Sequence, residues 1–180
     1  MIIHGTTILA LRSEEEHQVV IAADGQATAN NLIIKSRVRK TRKLYHDQIL
    51  VGFAGSTADA LTLFDRFEGK LQEYGGNLKR AAVELTKDWR TDRVLRRLEA
   101  LLAAAGREGL LLISGSGDVL EPDDGMLGLG SGGAYALAAA RALRQETELT
   151  IGQIAPKALL IAAAIDVYTN EHIEVETLSW

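Results

Sequence analysis

The chain has 180 residues, 47% of them hydrophobic, enough to bury a full core as a single domain without covalent staples. It contains no Cys, which excludes disulfides, thiolate metal centres and a Cys nucleophile and is compatible with a cytoplasmic location. The formal net charge of -4 argues against nucleic acid as the main partner, and no apolar run approaches the ~18 residues of a membrane span, so neither a nucleic-acid nor a membrane partner is expected.

Taken in order, residues 1–5 (Met-Ile-Ile-His-Gly) are too short and too uncharged for a secretory signal and suit a leader, or propeptide. Residues 7–11 read as a strand, 12–18 as a polar turn and 19–23 as a second strand, a hairpin that ends at Asp24-Gly25. Residues 30–44 mix Leu32, Ile33 and Ile34 with the basic series Lys35, Arg37, Arg39, Lys40, Arg42 and Lys43. Most such series are solvated faces or strand-edge protection, and spacing singles out none of them. Residues 49–54 form an apolar strand interrupted by Gly52. Ser56 with Asp59 then gives a capping-box-like start to a helix over residues 56–74.

Asn77 caps a second helix, whose apolar stripe of Ala81, Ala82, Leu85 and Trp89, continued by the run 98–105, predicts an end near residue 104. Residues 110–113 and 119–120 read as a hairpin, 126–129 as a short strand and 134–143 as an Ala-rich helix. Thr150 with Gln153 starts a last helix reaching about residue 168, with a restart at Pro156 as the alternative. Residues 172–178 alternate as a final strand. Strands, two helices, strands, two helices, strand is not a βαβ array. The order predicts an α+β fold, a four-layer αββα sandwich of two antiparallel sheets flanked by helices, as one domain over residues 6–180.

Chemistry centres first on His4-Gly5-Thr6-Thr7. Cut after Gly5, Thr6 would carry both a hydroxyl nucleophile and, in its own α-amine with an ordinary pKa of roughly 7.7 to 8, the base that takes the hydroxyl proton. Alone, the motif is better read as a β-branched strand start. Gly128-Leu129-Gly130-Ser131-Gly132-Gly133 matches G-x-G-x-x-G, but the strand before it is short and no second βαβ unit follows. A tight strand-to-helix turn is the better account. There is no Walker-type loop, so nothing suggests that the chain hydrolyses ATP. His4, His17, His46 and His172 have neither metal-ligand nor triad spacing.

Thr6-Thr7-Ile8, Ala23-Asp24-Gly25-Gln26-Ala27-Thr28, Val38-Arg39-Lys40, Gly52-Phe53-Ala54-Gly55-Ser56-Thr57-Ala58-Asp59-Ala60, Lys87-Asp88-Trp89-Arg90-Thr91-Asp92-Arg93 and Gly130-Ser131-Gly132-Gly133 occur in one order along the chain. Together they resemble the HslV (ClpQ) family, bacterial proteasome-like protease subunits of the N-terminal nucleophile hydrolase class with an αββα fold. The resemblance implies Thr6 as nucleophile of a threonine endopeptidase and Lys40 as the active-site cation. It also implies Asp24 as the acid that holds Lys40, Gly52 as an oxyanion N–H donor and Ser131 as an orienter of the Thr6 amine. It further implies a sodium ion on backbone carbonyls of Ala163, Asp166 and Thr169, where Ala163 stands in place of a usual Gly. Partners implied are an HslU (ClpY)-type ATPase ring, further copies of the chain in two stacked rings of six, and unfolded polypeptide substrates. The alternatives are a β-type proteasome subunit, another N-terminal-Thr amide hydrolase, or a catalytically silent ring scaffold.

Overall fold

A computed structural model describes residues 3–4, 6–55, 57–93, 95 and 100–180, with the side chains of residues 3, 4 and 57–59 outside that description. The elements run β1 (Ile3–His4), β2 (Thr7–Ser13), β3 (Gln18–Asp24), β4 (Ala27–Ala29), β5 (Leu32–Lys35), β6 (Thr41–Leu44), β7 (Ile49–Gly55), α1 (Thr57–Glu73), α2 (Leu78–Thr91), β8 (Ala100–Gly106), β9 (Gly109–Ser114), β10 (Val119–Leu120), β11 (Met126–Gly130), α3 (Gly133–Glu146), α4 (Ile151–Ala163) and β12 (Ile173–Ser179).

Two antiparallel sheets lie face to face, a five-stranded one ordered β10-β9-β8-β7-β6 and a four-stranded one ordered β11-β2-β3-β12. Period-2 alternation sorts their side chains into layers. Ile8, Ala10, Ile21 and Ala23 meet Leu50, Ala54, Ala103 and Ala105 between the sheets. Leu9, Leu11, Val20 and Ala22 turn outward onto α3 and α4, while Val51, Phe53, Leu102 and Ala104 turn outward onto α1 and α2. This is the αββα sandwich, and most of its central strands are buried on both faces. Each fully buried Leu, Ile or Phe contributes roughly 1.5 to 3 kcal/mol to holding the layers together.

Several local signals hold. The Asn77 side chain accepts the Arg80 N–H at 2.8 Å at the start of α2, and Thr150 N–H donates to Gln153 Oε1 at 3.0 Å at the start of α4. The expected cap at Ser56 and the end of the leader at Gly5 lie outside the described residues. Two helix ends differ from expectation. α2 stops at Thr91, and the run expected to extend it is strand β8, sandwiched between β7 and β9. Its Ala residues have high helix propensity, but between two closely packed layers a small side chain fits a doubly buried strand, and the tertiary environment overrides propensity. α4 passes through Pro156 without restarting and ends at Ala163, not near residue 168. A third, small sheet, β1-β4-β5, was not anticipated and carries residues 3 and 4 alongside Thr28 and Ala29.

Candidate active site

Four of the five residues expected at the reactive centre meet at one end of the sandwich. Thr6 immediately precedes β2 and is buried. Its neighbour Thr7 donates its N–H to Asp24 Oδ1 at 2.8 Å, because β2 and β3 pair Ile8 with Ala23 and so bring the start of one strand beside the end of the other. Lys40 Nζ donates to that same oxygen at 2.7 Å. One carboxylate oxygen therefore joins the cation to the peptide that follows Thr6. The second oxygen, Oδ2, accepts N–H groups from Gln26 at 2.8 Å and Asn170 at 3.3 Å. Four donors fix the orientation of this buried acid.

Of the basic series, Lys40 alone turns inward, with 1% of its surface exposed. Arg39 and Lys43 reach Glu176, and Arg42 reaches Asp65, all in exposed or half-exposed pairs. Burial lowers the Lys40 pKa below its ordinary 10.5, with the charge and hydrogen bond of Asp24 and the charge of Asp166 opposing that shift.

Ser131 completes the cluster from the β11–α3 turn. Its N–H donates to the Thr6 carbonyl at 3.1 Å, and its hydroxyl donates to Asp166 Oδ2 at 2.7 Å. The glycines of this turn serve packing: a Cβ on Gly128 would stand 2.1 Å from the Gly133 carbonyl oxygen, so the strand and helix backbones touch. That contact is the structural use of the G-x-G-x-x-G pattern.

A family model described as a proteasome subunit matches residues 2–178. The chain belongs to the proteasome subunit family. It is 58% identical over 177 residues to the ATP-dependent protease subunit HslV of Syntrophobacter fumaroxidans, an alignment covering 98% of each protein. Eukaryotic HslV from Trypanosoma brucei superposes with a TM-score of 0.90 at 46% identity, covering 97% of this chain and 99% of that one. BPH of Thiobacillus denitrificans, at 18% identity and a TM-score of 0.73 over 96% of this chain and 97% of its own, shares the fold.

In this proteasome-family site, the ladder geometry separates Gly52 from the other expected residues. Successive N–H groups of an antiparallel strand point to opposite neighbours. The Phe53 N–H donates to the Lys40 carbonyl at 3.2 Å, on the β6 side. The Gly52 N–H is therefore turned toward β8, where Ala103 lies opposite, and away from Lys40. Two residues beyond Phe53, Gly55 turns its N–H back to the Lys40 side, past the point where β6 begins. Gly52 instead serves packing, since its Cα faces Ile8 and Ile21 between the sheets.

The three residues expected to hold sodium by their carbonyls lie at and beyond the end of α4. Ile165 and Asp166 both donate to Ala162, so the helical ladder turns aside at Ala163. Asp166 and Thr169 also enter the site through their side chains: Thr169 Oγ1 donates to Asp166 Oδ2 at 2.6 Å, and Thr7 Oγ1 lies 2.6 Å from Thr169 Oγ1. Sequence reasoning missed these side-chain roles, as it missed Gln26 and Asn170. The bonds that bring Asp166, Thr169 and Asn170 into the site cross from distant Ser131, Thr7 and Asp24, while the Gln26 bond to Asp24 is made by a backbone N–H two residues away and so carries no side-chain signature.

Proposed function

We propose that this chain is the threonine peptidase subunit of a two-component ATP-dependent protease, with Thr6 as its nucleophile once residues 1–5 are removed. The observation that carries this reading is the single Asp24 oxygen shared by Lys40 Nζ and the Thr7 N–H, which sets a buried cation beside the first residue of the mature chain. With Gly5 attached, the Thr6 nitrogen is an amide and has no basic lone pair. After cleavage it is an amine that takes the proton of the Thr6 hydroxyl as the oxygen attacks a peptide carbonyl. The Lys40 charge favours the unprotonated amine and the negative charge that develops on oxygen, and Asp24 keeps Lys40 in place. In this reading the N–H of Gly55, on the Lys40 side of β7, is the oxyanion donor. Collapse of the tetrahedral species expels the leaving amine with the proton held by the Thr6 amine, leaving an ester on Thr6 that water hydrolyses.

The finer parts of the reading concern assembly. The chain works in two stacked rings of six, in the cytoplasm, capped by an HslU-type ATPase that unfolds substrates and feeds them to the enclosed sites. A Thr hydrolase alone has no means to unfold a domain held by ~5 to 15 kcal/mol. Carbonyls of Ala163, Asp166 and Thr169 would hold a sodium ion, a hard cation suited to uncharged oxygen donors. When bound, the ion supplies fixed positive charge that keeps the segment bearing Asp166 and Thr169 in one conformation.

The test is cleavage of a fluorogenic peptide and of a folded protein by this chain alone, with an HslU-type ATPase, and with ATPase plus ATP, after intact mass shows that residues 1–5 are gone. Thr6→Ala is expected to abolish cleavage while assembly persists, and Thr6→Ser to keep part of it. Turnover by the Ala variant at the parental rate overturns the assignment of Thr6, and degradation of the folded protein without the ATPase overturns the two-component reading.

A further inference from the structure

The role of Thr7 follows from the directions of the hydrogen bonds around it. The side chain is fully buried, and its Oγ1 accepts the Gly132 N–H at 3.0 Å while lying 2.6 Å from Thr169 Oγ1. A carboxylate only accepts, so the Thr169 hydroxyl, 2.6 Å from Asp166 Oδ2, must spend its proton there. The short contact between the two threonines then has one allowed sense, with Thr7 donating to Thr169. Four groups form a one-way relay: Gly132 N–H to Thr7 hydroxyl, Thr7 to Thr169, Thr169 to Asp166. Asp166 Oδ2 also accepts the Ser131 hydroxyl at 2.7 Å, and the Ser131 N–H holds the Thr6 carbonyl.

Thr7 is thereby tied to both buried acids of the site, to Asp24 through its backbone N–H and to Asp166 through its side chain. We infer that Thr7 is a positioning residue, whose hydroxyl locks the β11–α3 turn and the segment after α4 to the strand carrying the nucleophile, fixing Thr6 between Lys40 and Ser131. A hydroxyl at the second position of the mature chain is needed for alignment, beyond its contribution to strand propensity. The inference rests on the assignment of Thr6 as nucleophile and adds a second residue to it.

Thr7→Val keeps the β-branched shape and deletes the hydroxyl, leaving the Gly132 N–H and one Thr169 acceptor position without their partner. In the assembled protein, with leader removal verified by intact mass, kcat for a short peptide is expected to fall roughly 10- to 100-fold, with KM within about twofold and Thr7→Ser within about threefold of the parent, since small misplacements of a reacting group cost on this scale. Thr169→Val cuts the same relay one link later. The Thr7→Val/Thr169→Val double variant is expected to lose no more than the worse single variant, because both break one unit. Should Thr7→Val fail to assemble, the test rests on Thr169→Val, expected to show the same loss of kcat, with Thr7→Ser staying within about threefold of the parent. Parental kcat in Thr7→Val, a loss confined to KM, or multiplying losses in the double variant overturns the relay. A parent that cleaves no peptide, or a Thr6→Ala variant that still does, would instead remove the underlying reading of Thr6.

Discussion

Lys40 Nζ stands 2.7 Å from Asp24 Oδ1 with both side chains sealed from solvent, and this pair is asymmetric in what each partner has left when the other is removed. Without Lys40, Asp24 keeps the N–H groups of Thr7, Gln26 and Asn170. Without the Asp24 charge, Lys40 is a buried cation whose principal counter-charge is gone.

The first prediction follows from that asymmetry. Lys40→Ala is expected to lower peptide turnover by roughly 10² to 10³, the usual cost of removing one electrostatic stabiliser of a transition state, with a modest loss of stability. Asp24→Asn is expected to cost about 3 to 5 kcal/mol of stability, the scale for breaking one side of a buried pair, in addition to impairing turnover. Peptide assays and denaturant unfolding on both variants check the ranking. The reverse order of stability would mean that Asp24, not Lys40, is the group dependent on its partner.

A second prediction concerns pH. Burial, the largest influence, lowers the Lys40 pKa below 10.5 against the opposing pull of Asp24 and, more weakly, Asp166. Between the lowered value and 10.5 the unfolded chain holds a proton on this group that the folded chain has lost. Stability contributed by Lys40 therefore rises with pH across that window and is absent below it. In the proposed mechanism, catalysis runs the other way, because that mechanism uses the charged form of Lys40. The alkaline limb of a pH–rate profile is expected below pH 10.5, and Asp24→Asn is expected to move it lower still by removing the charge that raises the pKa. A limb at or above the ordinary lysine value would show that Lys40 is not the titrating cation.

What was legible in the sequence divides along the same physical lines. The four layers follow from the order of elements along the chain, and the hairpin β2–β3 and the caps at Asn77 and Thr150 follow from local patterns; these the sequence carries openly. β8 was hidden because an Ala-rich strand buried on both faces has no alternation to distinguish it from a helix. Thr6, Asp24, Lys40 and Ser131 became visible through the order of several motifs. That the Gly52 N–H turns toward β8 and away from Lys40 required the register of β7 on its two neighbours, since only pairing decides which way an N–H points. The Thr7–Thr169–Asp166 relay spans more than 160 residues of chain and leaves no trace in spacing.

The last prediction uses two glycines at opposite ends of β11 as a matched pair. Both have left-handed backbones, φ 67 at Gly125 and 84 at Gly130, where a side chain is strained regardless of space. A Cβ on Gly125 would stand 2.7 Å from the Arg12 carbonyl oxygen, at the end of the ladder remote from the site. One on Gly130 would stand 1.6 Å from the carbonyl oxygen of Thr6 itself. That oxygen already holds the Ser131 N–H, so the backbone of Thr6 must move. Gly125→Ala and Gly130→Ala are each expected to cost on the order of 1 to 3 kcal/mol from strain. They part in function: folded Gly125→Ala keeps parental kcat, while Gly130→Ala loses turnover by roughly 10² or more through displacement of the reacting group. Measuring kcat per folded active particle alongside unfolding separates the two effects. Equal kcat in both variants would mean that Thr6 tolerates displacement of its carbonyl, and the tight coupling between the β11–α3 turn and the nucleophile would be wrong.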